Sequence, residues 1–341
     1  MHNSNSIKIA VLGAGGWGIT LGNHSVKSGH QVSLWEFDSQ TAEKLRQDRQ
    51  RDEVLPNVPI HPDIDITDDI GRAVSDATII LIVVPSHVAR SVIKQLNGLP
   101  NLKRGIIVNC AKGIENNTLS RISQIVEQEL PTPVSSRYAV LSGPSHAEEV
   151  SRGIPTAVVV ASKDEPLARF VQETLTSHFF RVYRSPDVVG VELGGSLKNV
   201  IAIAAGICDG AGFGDNTKAA LQPRGLAEIA RLGHEMEANP MTFSGLSGIG
   251  DLIVTCMSRY SRNRYLGEQI GKGKTLGDVL NDMIMVAEGV KTCKSVISLA
   301  DKYNVEMPIS QQVYNVLFEQ KDAKAALEDL FNREVKPEIW Y

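Results

Sequence analysis

Hydrophobic and polar positions change rhythm once along the chain, near residue 187. Before that point, short β-branched and aliphatic runs alternate with segments whose apolar positions recur every three or four residues. The runs predict strands at 7–12, 31–35, 64–67, 78–84, 105–110, 137–141, 156–161 and 179–183. Helical periodicity between several of them predicts helices at 16–28, 39–49, 86–96, 119–130 and 166–177. The run TIILIVV (78–84) is apolar almost throughout, as in a strand covered on both faces. Such alternation implies a mostly parallel sheet with helices on both sides. Residues 51–63, holding three prolines, form the main irregular loop. After Ser185-Pro186 the pattern is helical almost throughout, with amphipathic segments at 218–237, 292–303 and 310–319 and one short extended piece at 284–286. An α/β domain over 1–187 followed by an all-helical domain over 188–341 is the expected organisation.

Composition narrows the class. The 341 residues are 42% apolar and 22% charged, ordinary globular values. A net charge of −4 gives no basic surplus for nucleic acid or an anionic membrane, so any anion site must be local. Cys110, Cys208, Cys256 and Cys293 have no C-x-x-C spacing and read as reduced thiols. The polar start passes straight into a strand, without a signal peptide, and the longest apolar runs are too short to span a membrane. The eight histidines show no H-x-x-x-H or Cys/His pairing, so no metal is expected. A soluble, cytoplasmic protein follows.

The sheet half carries a G-x-G-x-x-G frame at Gly13, Gly15 and Gly18, with Gly16 and Trp17 inside it. It follows the first strand and opens the first helix, where backbone N–H groups receive a dinucleotide pyrophosphate; the alternative is a glycine turn without a ligand. Glu36 stands eighteen residues past Gly18, at the end of the second strand, where a carboxylate binds an adenosine ribose or merely caps a solvated strand end. It would repel a 2′-phosphate, favouring NAD over NADP, and Phe37 beside it could cover the adenine. VVPSHV (83–88), NCAKGI (109–114) and LSGPSHAEEV (141–150) are strand ends of the kind where open α/β sheets bind ligands. Lys112 there could reach an anion or simply be solvated. Ser142, Ser145 and His146 do not make a hydrolase, because G-x-S-x-G is absent.

In the helical half, Lys198 heads the apolar run GGSLKNVIAIAAGICDG (194–210). A buried ammonium must be paired or have its pKa lowered. Asp251, among glycines and apolar residues, is a candidate partner. Lys198 is then either a proton donor to a carbonyl or a structural lysine snorkelling from a helix end. Arg262 and Asn263, between Arg259 and Arg264, form either a fork for a phosphate dianion or a solvated basic helix start.

Taken in order, GAGGWG, VVPSH, NCAKGI, SGPSHAEEV, GGSLKNVIAIAAGICDG and GIGDLIVTC…RNRYLG resemble the NAD(P)-dependent glycerol-3-phosphate dehydrogenases along nearly the whole chain. The resemblance implies a Rossmann domain followed by a helical domain like that of 6-phosphogluconate dehydrogenase. It implies reversible reduction of dihydroxyacetone phosphate to sn-glycerol 3-phosphate, feeding phospholipid synthesis, by a cytoplasmic homodimer. By position, Lys198 matches the family's proton-transferring lysine. Lys112, Asp251, Ser261, Arg262 and Asn263 match substrate-binding positions, with Lys112 and Arg262 also near the cofactor. Gly143 and Ser145 match positions in contact with substrate and cofactor, and Trp17, Ala147, Val286 and Glu288 match cofactor-binding ones. Many bacterial members carry a glycine and a basic residue where this chain has Glu36-Phe37, which again leans towards NAD. Two other readings are a β-hydroxyacid dehydrogenase, which would not need the RNR cluster, and a non-catalytic dinucleotide sensor, which would not need Lys198.

Overall fold

A single eight-stranded sheet organises the first half of the chain, in a computed structural model that describes residues 6–99, 102, 105–283, 287–335 and 337–338. The expected piece at 284–286 and the cofactor candidate Val286 lie outside the described residues. The strands are β1 (Lys8–Leu12), β2 (Gln31–Trp35), β3 (Asp65–Thr67), β4 (Ile79–Ile82), β5 (Ile106–Asn109), β6 (Tyr138–Ser142), β7 (Thr156–Ala161) and β8 (Phe180–Ser185). Their order is β3-β2-β1-β4-β5-β6-β7-β8, all parallel except the antiparallel β6–β7 pair. The reversal of strand order between β1 and β4 creates the crevice at which such sheets bind ligands. All four residues of β4 are buried, because helices cover both faces; Ile79 and Leu81 join one apolar core while Ile80 and Ile82 join the other.

The short helix Ile70–Val74 escapes the periodicity reading, since five residues cannot display a helical repeat; Asp69 caps it by accepting from the Arg72 N–H. Residues 51–63 hold no helix or strand, only an isolated bridge from Gln50 to Pro59 at their edge.

The long helix Val188–Gly210 begins two residues after β8 and runs through the centre of the helical half. Asp187 caps it, accepting from Gly190 N at 2.8 Å. One turn on, the buried Glu192 accepts from Ser123 N (2.8 Å), Ser123 Oγ (2.6 Å), Arg121 (2.7 Å) and Tyr138 Oη (2.7 Å). That network ties the head of the helix to the sheet, so the residue a turn and a half further, Lys198, has a fixed position relative to the strand ends.

By length and composition this helix could cross a membrane, but 94% of its most apolar window is buried inside the protein. The apolar run 200–208 is short, yet the helix continues through the small residues on either side of it. Those small residues serve a packing purpose. A Cβ on Gly206 would stand 1.9 Å from Arg264 O, and one on Gly267 would stand 2.1 Å from Ile203 O. The helix Arg262–Gly271 therefore lies backbone to backbone against the long helix. Any side chain at either glycine would drive the two apart.

Candidate active site

The carboxyl ends of β5 and β6 meet the long helix at a buried carboxylate. Asp251 opens the helix Asp251–Met257 and is 1% exposed. Its Oδ1 accepts from Lys198 Nζ at 2.5 Å and its Oδ2 from Lys112 Nζ at 2.7 Å. Lys112, just past β5, also donates to Gly143 O at 3.2 Å, just past β6. Lys198 also donates to Thr255 Oγ1 at 2.6 Å. Thr255 is held in turn by donating to the Asp251 carbonyl, one helical turn back. The sequence reading missed Thr255; its signal was the four-residue spacing from Asp251, which stacks the two on one helix face.

Two ammonium groups on one carboxylate leave this site with a net positive charge. Burial drives the Lys198 pKa down to about 8, with Lys112 helping and Asp251 opposing. Burial alone would raise the Asp251 pKa, but the two lysines outweigh it and hold it below the usual carboxylate range. His146 lies in the same field. Burial first, then Lys198 and Lys112, push its pKa to about 4, so its ring is neutral and adds no third positive charge. Its Nε2 is buried without a hydrogen-bond partner among the described residues, at the edge of the lysine cluster.

The long helix reaches this point because Gly194 and Gly195 have no side chains. A Cβ on Gly194 would stand 2.4 Å from Ser247 O, and one on Gly195 2.6 Å from Ser142 Oγ.

A second group forms the rim. Ser261 accepts from Arg264 N and caps the helix that starts at Arg262, so its hydroxyl serves the helix end. Arg262 is exposed, and Glu288 and Glu148 are near enough to favour its charged form. Asn263 is buried, and its Oδ1 accepts from Gly289 N at 2.9 Å, leaving the amide NH₂ as the donor side. That bond joins the starts of two helices, Arg262–Gly271 and Glu288–Tyr303. Gly289 itself approaches the Asn199 carbonyl, next to Lys198. Glu288 accepts from Ser86 Oγ at 2.6 Å, bridging 202 positions from the end of β4 to the helical half. Ser86 is a further residue that the sequence reading left without a role.

The third group is the glycine turn. Gly13 has φ +120°, and a Cβ there would stand 2.8 Å from Val83 O. At Gly18 a Cβ would collide with Gly13 O at 1.8 Å, so only glycine lets the first helix start so close to β1. Gly15 caps that helix without a side chain and has open space where its Cβ would be. A helix start with no side-chain cap, beside that open space, fits the pyrophosphate of a dinucleotide. Gly16 lies under Val54 of the 51–63 loop and beside Ala147, whose carbonyl is 3.4 Å from Thr20 Oγ1. Trp17 packs inwards, its ring centroid 6.3 Å from that of Phe180. Ser145 donates to Gly143 O at 3.0 Å and so shapes the turn after β6.

Glu36 is not the bare carboxylate that its position suggests. It is 4% exposed and accepts from Arg51 at 2.8 Å. Phe37, by contrast, is 77% exposed.

Comparison with known proteins agrees with this geometry. The model of the NAD-dependent glycerol-3-phosphate dehydrogenase N-terminus matches residues 8–168, and that of the C-terminus matches 187–328. A glycerol-3-phosphate dehydrogenase [NAD(P)+] of Citrifermentans bemidjiense is 50% identical over 97% of this chain and 98% of its own. One from Chlorobium phaeobacteroides is 51% identical over 98% of this chain and 100% of its own. The crystal structure of glycerol-3-phosphate dehydrogenase from Coxiella burnetii, 35% identical, superposes with a TM-score of 0.91 over 96% of this chain and 99% of that one. Matched in order along both halves and across nearly its whole length, the chain belongs to the NAD-dependent glycerol-3-phosphate dehydrogenase family.

Proposed function

We propose that this chain catalyses the reversible reduction of dihydroxyacetone phosphate to sn-glycerol 3-phosphate with NADH or NADPH, Lys198 exchanging the proton at the substrate oxygen. The observation that carries the reading is the Lys112–Asp251–Lys198 chain at the strand ends, with Asp251 and Lys198 buried and Lys112 partly open. When bound, the reduced nicotinamide supplies a hydride to the carbonyl carbon. The chain's own residues must then do three things: hold the phosphate, fix the carbonyl, and deliver a proton.

Lys198 spends two of its N–H groups on Asp251 and Thr255, which leaves the third to aim at the carbonyl oxygen. Its pKa of about 8 lets it be protonated at neutral pH yet give the proton up readily. Asp251 stabilises the ammonium form and sets its orientation. Lys112 gives the pocket its surplus positive charge, which favours a phosphorylated substrate over a neutral one. Arg262, the Asn263 amide and the N–H groups at the start of their helix are the phosphate ligands in this account. The sheet domain, 1–187, then carries the cofactor and the helical domain, 188–341, the substrate's phosphate and the proton donor.

The β-hydroxyacid and sensor readings find no support among the full-length relatives, which are dehydrogenases of glycerol 3-phosphate. A cytoplasmic homodimer is part of the same proposal, and sedimentation velocity measures the assembly. The test of function is oxidation of NADH and of NADPH on adding dihydroxyacetone phosphate, with dihydroxyacetone and a 2-oxo acid as controls. Turnover confined to the phosphorylated ketone supports the proposal; turnover of the 2-oxo acid in its place contradicts it.

A further inference from the structure

Cofactor choice in this fold is decided where β2 ends, since a ribose 2′-hydroxyl there wants a carboxylate and a 2′-phosphate wants a cation. This chain brings both charges to that point. Glu36 Oε2 accepts from Arg51 Nη1 at 2.8 Å, and its Oε1 accepts from Asp38 N at 3.3 Å. Arg51 Nη1 also donates to Ala14 O, inside the glycine turn, at 3.0 Å. Arg51 Nε donates to Glu53 at 3.1 Å, while Nη2 has no hydrogen-bond partner among the described residues. Val54, on the same loop, presses on Gly16: a Cβ there would stand 2.8 Å from Val54 O. The start of the 51–63 loop thus closes over the glycine turn, and Arg51 spans from that turn to the strand end.

Two consequences follow. Glu36, a nearly buried carboxylate that would otherwise repel a 2′-phosphate, is paired with Arg51, while Glu53 and Asp38 keep the surroundings acidic. A planar guanidinium with one terminal nitrogen uncommitted is also placed beside the ribose position.

We propose that Arg51 is the residue that lets this protein take NADP as well as NAD: the 2′-hydroxyl of NAD binds Glu36, and the 2′-phosphate of NADP binds Arg51 Nη2. The proposal rests on the dinucleotide reading above and makes the carboxylate half of a dual-specificity pair. It replaces the lean towards NAD that an unpaired Glu36 suggests.

The test is calorimetric titration of the full-length protein with AMP and with adenosine 2′,5′-bisphosphate, which differ in the group that Arg51 is proposed to hold. Wild type should bind the bisphosphate at least as tightly as AMP. Arg51→Gln should weaken the bisphosphate tenfold or more and AMP less than threefold. Because that variant strands Glu36, the double variant Glu36→Gln/Arg51→Gln is measured beside it, and it should remain weak for the bisphosphate. Recovery of bisphosphate binding in the double variant would overturn the proposal, since Arg51 would then only neutralise Glu36. Equal losses for both nucleotides would overturn it too. Wild type binding neither nucleotide would remove the dinucleotide reading itself, and Arg51 with it.

Discussion

Replacing Asp251 by asparagine removes the carboxylate that Lys198 and Lys112 share and keeps its shape. Its oxygens lie 2.5 and 2.7 Å from the two ammonium nitrogens, so the variant confronts two positive groups across a neutral amide. An opposite charge this close holds a lysine pKa up by roughly 1–3 units. The Lys198 pKa should therefore fall from about 8 to roughly 5–7. Reduction uses the ammonium form and oxidation the amine form, which fixes the signs. At pH 7 roughly nine-tenths of wild-type Lys198 carries the proton, against roughly half to one-hundredth in the variant. Titration alone then lowers kcat/KM for dihydroxyacetone phosphate at pH 7 by roughly 2- to 100-fold. The alkaline limb of the reduction profile should move to lower pH, and the acid limb of the glycerol 3-phosphate oxidation profile should move with it. Initial rates in both directions at constant ionic strength measure both limbs. A uniform loss with unmoved limbs would refute the electrostatic role, and limbs displaced to higher pH would refute the sign of the coupling.

Two further predictions concern the rim. Arg262→Ala should lower kcat/KM for dihydroxyacetone phosphate by roughly two to three decades, and unphosphorylated dihydroxyacetone should lose much less; equal losses, or a parallel loss of NADH affinity, would place Arg262 with the cofactor or the fold. Gly267→Ala puts a methyl 2.1 Å from Ile203 O, so it should destabilise the protein by roughly 1–3 kcal/mol in chemical denaturation and raise KM for the phosphorylated substrate by displacing the helix that begins at Arg262. A variant as stable as wild type would mean that the two helices do not need their backbone contact.

The strands were legible because each is a local event. A buried run such as TIILIVV declares its environment in a few residues, and β4 indeed falls within it, as does β7 within the run 156–161. Chemistry-bearing residue types at strand ends could also be picked out, since Lys112 and the glycine turn follow directly on strands. What remained hidden is pairing between distant positions. Nothing near Glu36 announces that Arg51 pairs with it, because the two lie fifteen positions apart on opposite sides of the helix Ser39–Asp48 and meet only through the path of the chain. The Ser86–Glu288 bond spans 202 positions and depends on how the helical half sits on the sheet. Gly206, a small residue within the run 194–210, answers to the Arg264 backbone, a packing demand visible only when both helices are present.

The central claim is that Lys198 delivers the proton, and Lys198→Met tests it most directly. The methionine keeps most of the side-chain volume and removes the acid. NADH binding, followed by fluorescence on the same sample, should stay within about threefold of wild type, because no cofactor contact is assigned to this side chain. The kcat for dihydroxyacetone phosphate should fall by roughly two to four decades. A folded variant that binds NADH and turns over dihydroxyacetone phosphate at a near-normal rate would contradict the account and make Lys198 a structural lysine.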